Sequence, residues 1–82
     1  MKEQEIKLLE QTKRIPTKQI NTDIQDTLAE IKTKRREIQG LRLINDRISN
    51  YKADARELGI KEREQFIKKL EEILRLRKEA TV

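Results

Sequence analysis

Between Thr22 and Leu58 the chain repeats apolar residues at Ile24, Leu28, Ile31, Ile38, Leu41, Ile44, Ile48, Tyr51, Ala55 and Leu58. Nearly every step is three or four residues, the spacing of one helical face. A helix with such a stripe has to bury it, so the stretch restricts the chain to helical packing against itself or against another molecule. At about 1.5 Å per residue this main helix would be roughly 55 Å long.

The composition agrees with that restriction. Of 82 residues, 43% are charged and 34% are apolar, with one Phe, one Tyr and no Trp. The large apolar residues are almost all Ile and Leu. Long solvated helices of the coiled-coil kind have this balance. Disorder is not expected for most of the chain, because the charges are mixed in sign and the apolar positions are periodic. A core of this size is limited, and regular packing or a partner has to supplement it.

The main helix is expected to begin between Thr17 and Thr22. Thr22 and Gln25 have capping-box spacing, and Asp23 and Asp26 put negative charge in the first turn. Upstream, Lys2 to about Gln11 forms a short helix with Ile6, Leu8 and Leu9 on it. Pro16 breaks the chain there, with Ile15 and Ile20 placed to anchor the crossing. The apolar repeat slips near Gly40, where residues expected at Arg42 and Asn45 appear at Leu41 and Ile44 instead. Glycine at that slip predicts a kinked or overwound continuous helix, the alternative being a true break. Gly59 is read as the helix stop: Ala55 to Ile60 fits a Schellman ending, with Ile60 against Ala55. A last helix follows from Lys61 to about Lys78, with Phe66, Ile67, Leu70, Ile73, Leu74 and Leu76 as its apolar residues. Ala80, Thr81 and Val82 are expected to fray.

The expected fold is therefore all-α in a single small domain. Residues 1–16 give the short helix and its break, 17–59 the main helix, and 60–82 a returning helix that closes an antiparallel helical hairpin. Salt pairs at helical spacing, among them Glu30–Lys34, Glu64–Lys68 and Glu71–Arg75, support the exposed faces.

Several function classes are disfavoured. The chain has no Cys and no His, which removes thiol chemistry, the usual zinc ligands and the commonest neutral-pH general base. The two Gly residues are isolated, so no phosphate-cradling loop is present, and the acidic residues pair with Lys or Arg along helices. No catalytic residue, cofactor or metal is expected, and the chain is read as a non-enzyme. No apolar run reaches membrane-spanning length, and no signal-peptide pattern occurs at the N-terminus. An intracellular, cytoplasmic protein is expected, without a membrane or small-molecule ligand. The last helix has mixed charge on its polar face, which weakens a membrane-surface role.

The net charge is +5. Lys32, Lys34, Arg35, Arg36, Arg42 and Arg47 gather in one region, opposed only by Glu37 and Asp46. These are the candidate contacts for a polyanion or an acidic partner. Arg35 sits on the apolar seam, where it packs its stem and turns its head outward or pairs with a carboxylate on another helix. Ala55, Gly59 and Ile60 have the relation found in a helix-turn-helix. The acidic start of the next helix favours a plain hairpin turn.

Two expectations of function follow. The first is a protein-interaction module that forms a homodimer, or joins a partner protein, through the seam Ile24, Leu28, Ile31, Ile38, Leu41, Ile44, Ile48, Tyr51, Leu58, Phe66, Ile67, Leu70, Ile73 and Leu74. The second is a small nucleic-acid-binding regulator that uses the basic face from Lys32 to Arg47. An inhibitor or accessory subunit of a larger machine is a third.

Overall fold

The structure is a computed structural model that describes residues 2–80. It consists of α1 (Glu3–Thr12), α2 (Thr17–Ile44) and α3 (Arg47–Ala80). The second and third helices form an antiparallel hairpin, and the short first helix packs on α3 and not on α2. The result is a rod 54 Å long and 23 by 17 Å across.

The hairpin is held by two matched heptad faces. On α2 the residues turned inward are Ile20, Ile24, Thr27, Ile31, Lys34, Ile38 and Leu41, all buried or half-buried at alternating steps of four and three. Their counterparts on α3 are Ser49, Ala53, Arg56, Ile60, Arg63, Ile67, Leu70 and Leu74. Such a repeat keeps one seam facing the partner helix along the whole contact. Ile20, Leu70 and Ile73 form one core cluster, with Leu8, Ile24 and Leu74 packed against it. Ile31, Ile60 and Ile67 form a second, with Ile24 and Ile38 beside it. Small residues, Ser49 and Ala53, fill the seam near the turn.

The turn lies at Asn45 and Asp46, not at Gly59. Asn45 adopts the left-handed conformation with φ 55°, and its N–H donates to the Leu41 carbonyl at 3.2 Å. Asparagine enters this region more readily than most residues and ends helices there. Asp46 then starts α3: its Oδ1 accepts a hydrogen bond from the Ser49 N–H at 2.6 Å. An acidic cap three residues before the accepted amide is a strong helix start. The expected helix over 17–59 is thus two elements, and the returning helix begins at Arg47 instead of residue 60. Gly59 is interior to α3 with ordinary helical φ. A Cβ there would meet Arg63 Nη1 at 3.2 Å and the Lys34 stem at 3.9 Å. The Lys34 stem would be in ordinary contact with such a Cβ, and only the Arg63 guanidinium would have to give. Ile60 is in the core and Ala55 is exposed, so the expected contact between them is replaced by burial against α2.

Gly40 does not break the chain into separate helices, since α2 runs through it. At the other end, α2 begins at Thr17 directly after Pro16, which serves as its cap residue. Proline presets backbone geometry without needing the amide that a helix start leaves unpaired. Thr22 is therefore inside the helix, where its hydroxyl donates to the Lys18 carbonyl. Ile20 is fully buried, while Ile15 is partly exposed. Ala80 closes α3; Thr81 and Val82 lie outside the described residues.

Candidate interaction surface

Ion pairs lock the hairpin register along both edges of the seam. On one edge Arg56 Nε donates to Glu37 at 2.6 Å and Arg63 Nε to Glu30 at 2.7 Å. The Arg56 guanidinium holds the Glu37 carboxyl below its ordinary pKa. On the other edge Arg42 reaches Asp54 at 2.6 Å and Glu57 at 3.1 Å, and Arg35 approaches Glu64 at 4.0 Å. Glu30 and Glu64 thus pair across the hairpin, not with the lysine four residues on. Arg75 takes Glu5, Glu72 and Glu79 as its partners.

This arrangement divides the six candidate cations. Arg35 and Arg42 are committed to carboxylates, and Lys34 lies half-buried over Gly59. Lys32, Arg36 and Arg47 are exposed and make no ion pair among the described residues.

The fourteen seam residues divide as well. Ile31, Ile67, Leu70 and Ile73 are buried, and Ile24, Ile38, Leu41 and Leu74 half-buried, all within the chain's own packing. Leu28, Ile44, Ile48, Tyr51, Leu58 and Phe66 remain exposed. Four of the six belong to α3: Ile48, Tyr51 and Leu58 lie on its far side, away from α2, and Phe66 lies at the edge of the hairpin seam. Tyr51 is 75% exposed, Ile48 69% and Leu58 61%. Together with the exposed Ala55 they advance by three and four residues, so they form a second heptad stripe along α3. Four heptads beyond Ile48 that stripe comes to Leu76, which is fully buried. Ile73 is buried beside it, packed near Leu8 of α1.

The short helix α1 therefore covers one end of the stripe. Glu5 meets Arg75 at 3.4 Å, and Arg77 Nη2 donates to the Thr12 carbonyl at 2.6 Å. Its outward order matches that of α3, because residues near 5 sit beside 75 and Thr12 beside Arg77. Toward the turn, none of the described residues covers Ile48, Tyr51, Ala55 or Leu58. Leu43, at 87% exposed, and Ile44 extend the apolar surface around the hairpin tip. Ile20, Ala53, Ile60 and Leu76, all buried, were not in the expected seam. For Ile20, Ala53 and Ile60 the signal in the sequence is the repeat obtained when α2 and α3 are each given a separate inward face, whereas Leu76 lies on the outward stripe at the end that α1 covers.

Among the described residues, no three His, Cys, Asp or Glu side chains gather as a metal site would need. No helix among them is long and apolar enough to cross a membrane. No protein-family model matches the chain, and no curated protein or solved structure matches it.

Proposed function

We propose that the chain is a non-enzymatic helical interaction module and that its binding face is the far side of α3. The observation that carries this reading is the uncovered stripe of Ile48, Tyr51, Ala55 and Leu58. Exposed large apolar residues at heptad spacing present a ready seam for one more helix, and leaving them in water forfeits the gain of burying them. The α2–α3 pairing supplies rigidity, and α1 already shows the mode of contact, a helix laid on α3.

The basic surface is a weaker support for a nucleic-acid reading. Arg35 and Arg42 meet carboxylates within the chain and Lys34 is half-buried, which leaves Lys32, Arg36 and Arg47 both exposed and unpaired among the described residues. Each phosphate contact needs a cation free to release its counterions.

A photo-crosslinking residue placed at Tyr51, with Lys32 as the comparison position, tests the reading in cells. Polypeptide adducts at position 51 and none at position 32 are the expected result. Adducts restricted to position 32, or recovered with nucleic acid, would reject it. Anisotropy with labelled duplex and single-stranded DNA at about 50 and about 200 mM salt is expected to show no steeply salt-dependent binding.

A further inference from the structure

The uncovered stripe has a charge pattern that fits one occupant. Lys52 flanks it and Glu62 continues it at the next heptad step, each exposed and without an ion pair among the described residues. They lie five residues either side of position 57. Asp54, which Arg42 already engages through Oδ1, and Lys61 lie almost as symmetrically about it. Small Ala55 and large Leu58 straddle it. A second α3 laid antiparallel about this centre would bring Lys52 to Glu62, Asp54 to Lys61 and Ala55 to Leu58, twice over by symmetry. A parallel copy in the same register would set Glu62 against Glu62. Like charges across a helix pair are disfavoured, and opposite charges set its orientation.

We infer that the stripe is covered by a second copy of this chain, its α3 antiparallel to the first about a two-fold axis near residues 56 and 57. The inference rests on the stripe being a binding face, as proposed above. The position of α1 agrees with the length of the overlap. In this register the second copy's Ile48 lies beside Gln65, so its hairpin tip ends just before Lys69, where α1 begins to flank α3. The second copy and α1 thus share the stripe end to end. Arg47 comes near the second copy's Lys68, the one like-charged approach, and it falls at the solvated ends of the overlap where screening is strongest. Self-complementary patches of this kind are what a two-fold dimer requires. The overlap is short, a single helix face, which puts the dimer among weak, concentration-dependent assemblies.

The chain has no cysteine, so orientation can be read by introduced thiols. Two full-length variants, Ile48→Cys and Gln65→Cys, are oxidised separately and then as a mixture. The expected result is a mixed disulfide between the two variants, in clear excess over either homodimer. Homodisulfides at each position would overturn the antiparallel register. Sedimentation equilibrium on the unmodified chain, from about 10 to about 500 µM, is expected to show a monomer–dimer equilibrium. Leu58→Asp is expected to weaken it at least tenfold with unchanged helicity, since Leu58 takes no part in the hairpin core. Lys52→Glu alone is expected to weaken association, and adding Glu62→Lys to restore it. A chain that stays monomeric throughout overturns the second-copy inference. If Tyr51 nevertheless crosslinks to another polypeptide, the interaction-module reading stands without it; if it crosslinks to none, both fall.

Discussion

Asp46 Oδ1 accepts the Ser49 backbone N–H at 2.6 Å, one residue after Asn45 turns left-handed. The two residues together reverse the chain. Asn45 ends α2 and Asp46 begins α3, with Asn50 Nδ2 tied back to Asn45 Oδ1 at 3.1 Å.

Substitution of Asn45 should follow the cost of the left-handed conformation. Asn45→Gly is expected to be tolerated, whereas Asn45→Val is expected to cost about 1–2 kcal/mol. Thermal unfolding followed by circular dichroism reads both. Equal melting temperatures for the two variants would contradict the turn placement.

The cap gives stability a pH dependence. The Ser49 backbone amide holds the Asp46 carboxyl below its ordinary value of 3.8. A depressed folded pKa contributes stability that is complete above the unfolded pKa and is lost as pH falls through the folded one. Glu5 and Glu37 are shifted the same way, Glu5 chiefly by the Lys2 backbone N–H and then by Arg75, Glu37 by Arg56. Acid below pH 4 is therefore expected to loosen the turn, α1 and the hairpin edge together. Asp46→Asn keeps a capping side chain and should flatten part of the acid loss. Asp46→Ala should lower the melting temperature at neutral pH as well.

The two glycines separate the observed turn from the one at Gly59. Gly40 has nothing within 4 Å of an added Cβ, and alanine there is expected to stabilise by about 1 kcal/mol. Gly59→Ala should gain less than that, because Arg63 Nη1, which donates to the Gly59 carbonyl at 3.1 Å, has to shift. Were Gly59 a left-handed helix stop, alanine would destabilise instead. Denaturant midpoints of the two variants decide the sign.

Core truncation should be costly because the core is narrow. Ile31→Ala removes a buried side chain from the cluster with Ile60 and Ile67 and is expected to cost about 2–4 kcal/mol. Leu43→Ala, at the exposed tip, is expected to change stability by less than about 0.5 kcal/mol. Similar losses for the two would place the core elsewhere.

The all-α hairpin with a short leading helix was legible in the spacing of Ile and Leu, and so was the break at Pro16. The turn was not. Glycine was weighted as the stop signal, while Asn45 and Asp46 supply the same left-handed residue and cap by different chemistry. The slip in the repeat at Leu41 and Ile44 was the visible trace of that turn. Apart from Leu28, the seam residues up to Leu41 follow the inward face of α2, whereas Ile44, Ile48, Tyr51 and Leu58 lie outside the hairpin core. Reading them as one seam merged two surfaces that the fold keeps apart. The cations divided for a related reason: a run of Lys and Arg on one helix does not reveal which of them a returning helix will engage. Arg42 and Arg35 meet carboxylates that are distant in sequence.

The placement of the turn also sets an order of events. Thr17 and Arg77, whose side chains hydrogen-bond at 3.0 Å, are 60 residues apart. Closing so long a loop in one step is entropically dear, but pairing that starts at Asn45 and Asp46 closes only short loops, one heptad at a time. The arms are therefore expected to zip away from the tip, so that the open ends of the rod join last and fray first. The docking site of α1 lies at those ends, on Arg75 and Arg77. Undocking of α1 is therefore tied to the first loosening of the hairpin, and each such opening lengthens the bare face of α3 toward Ile73 and Leu76.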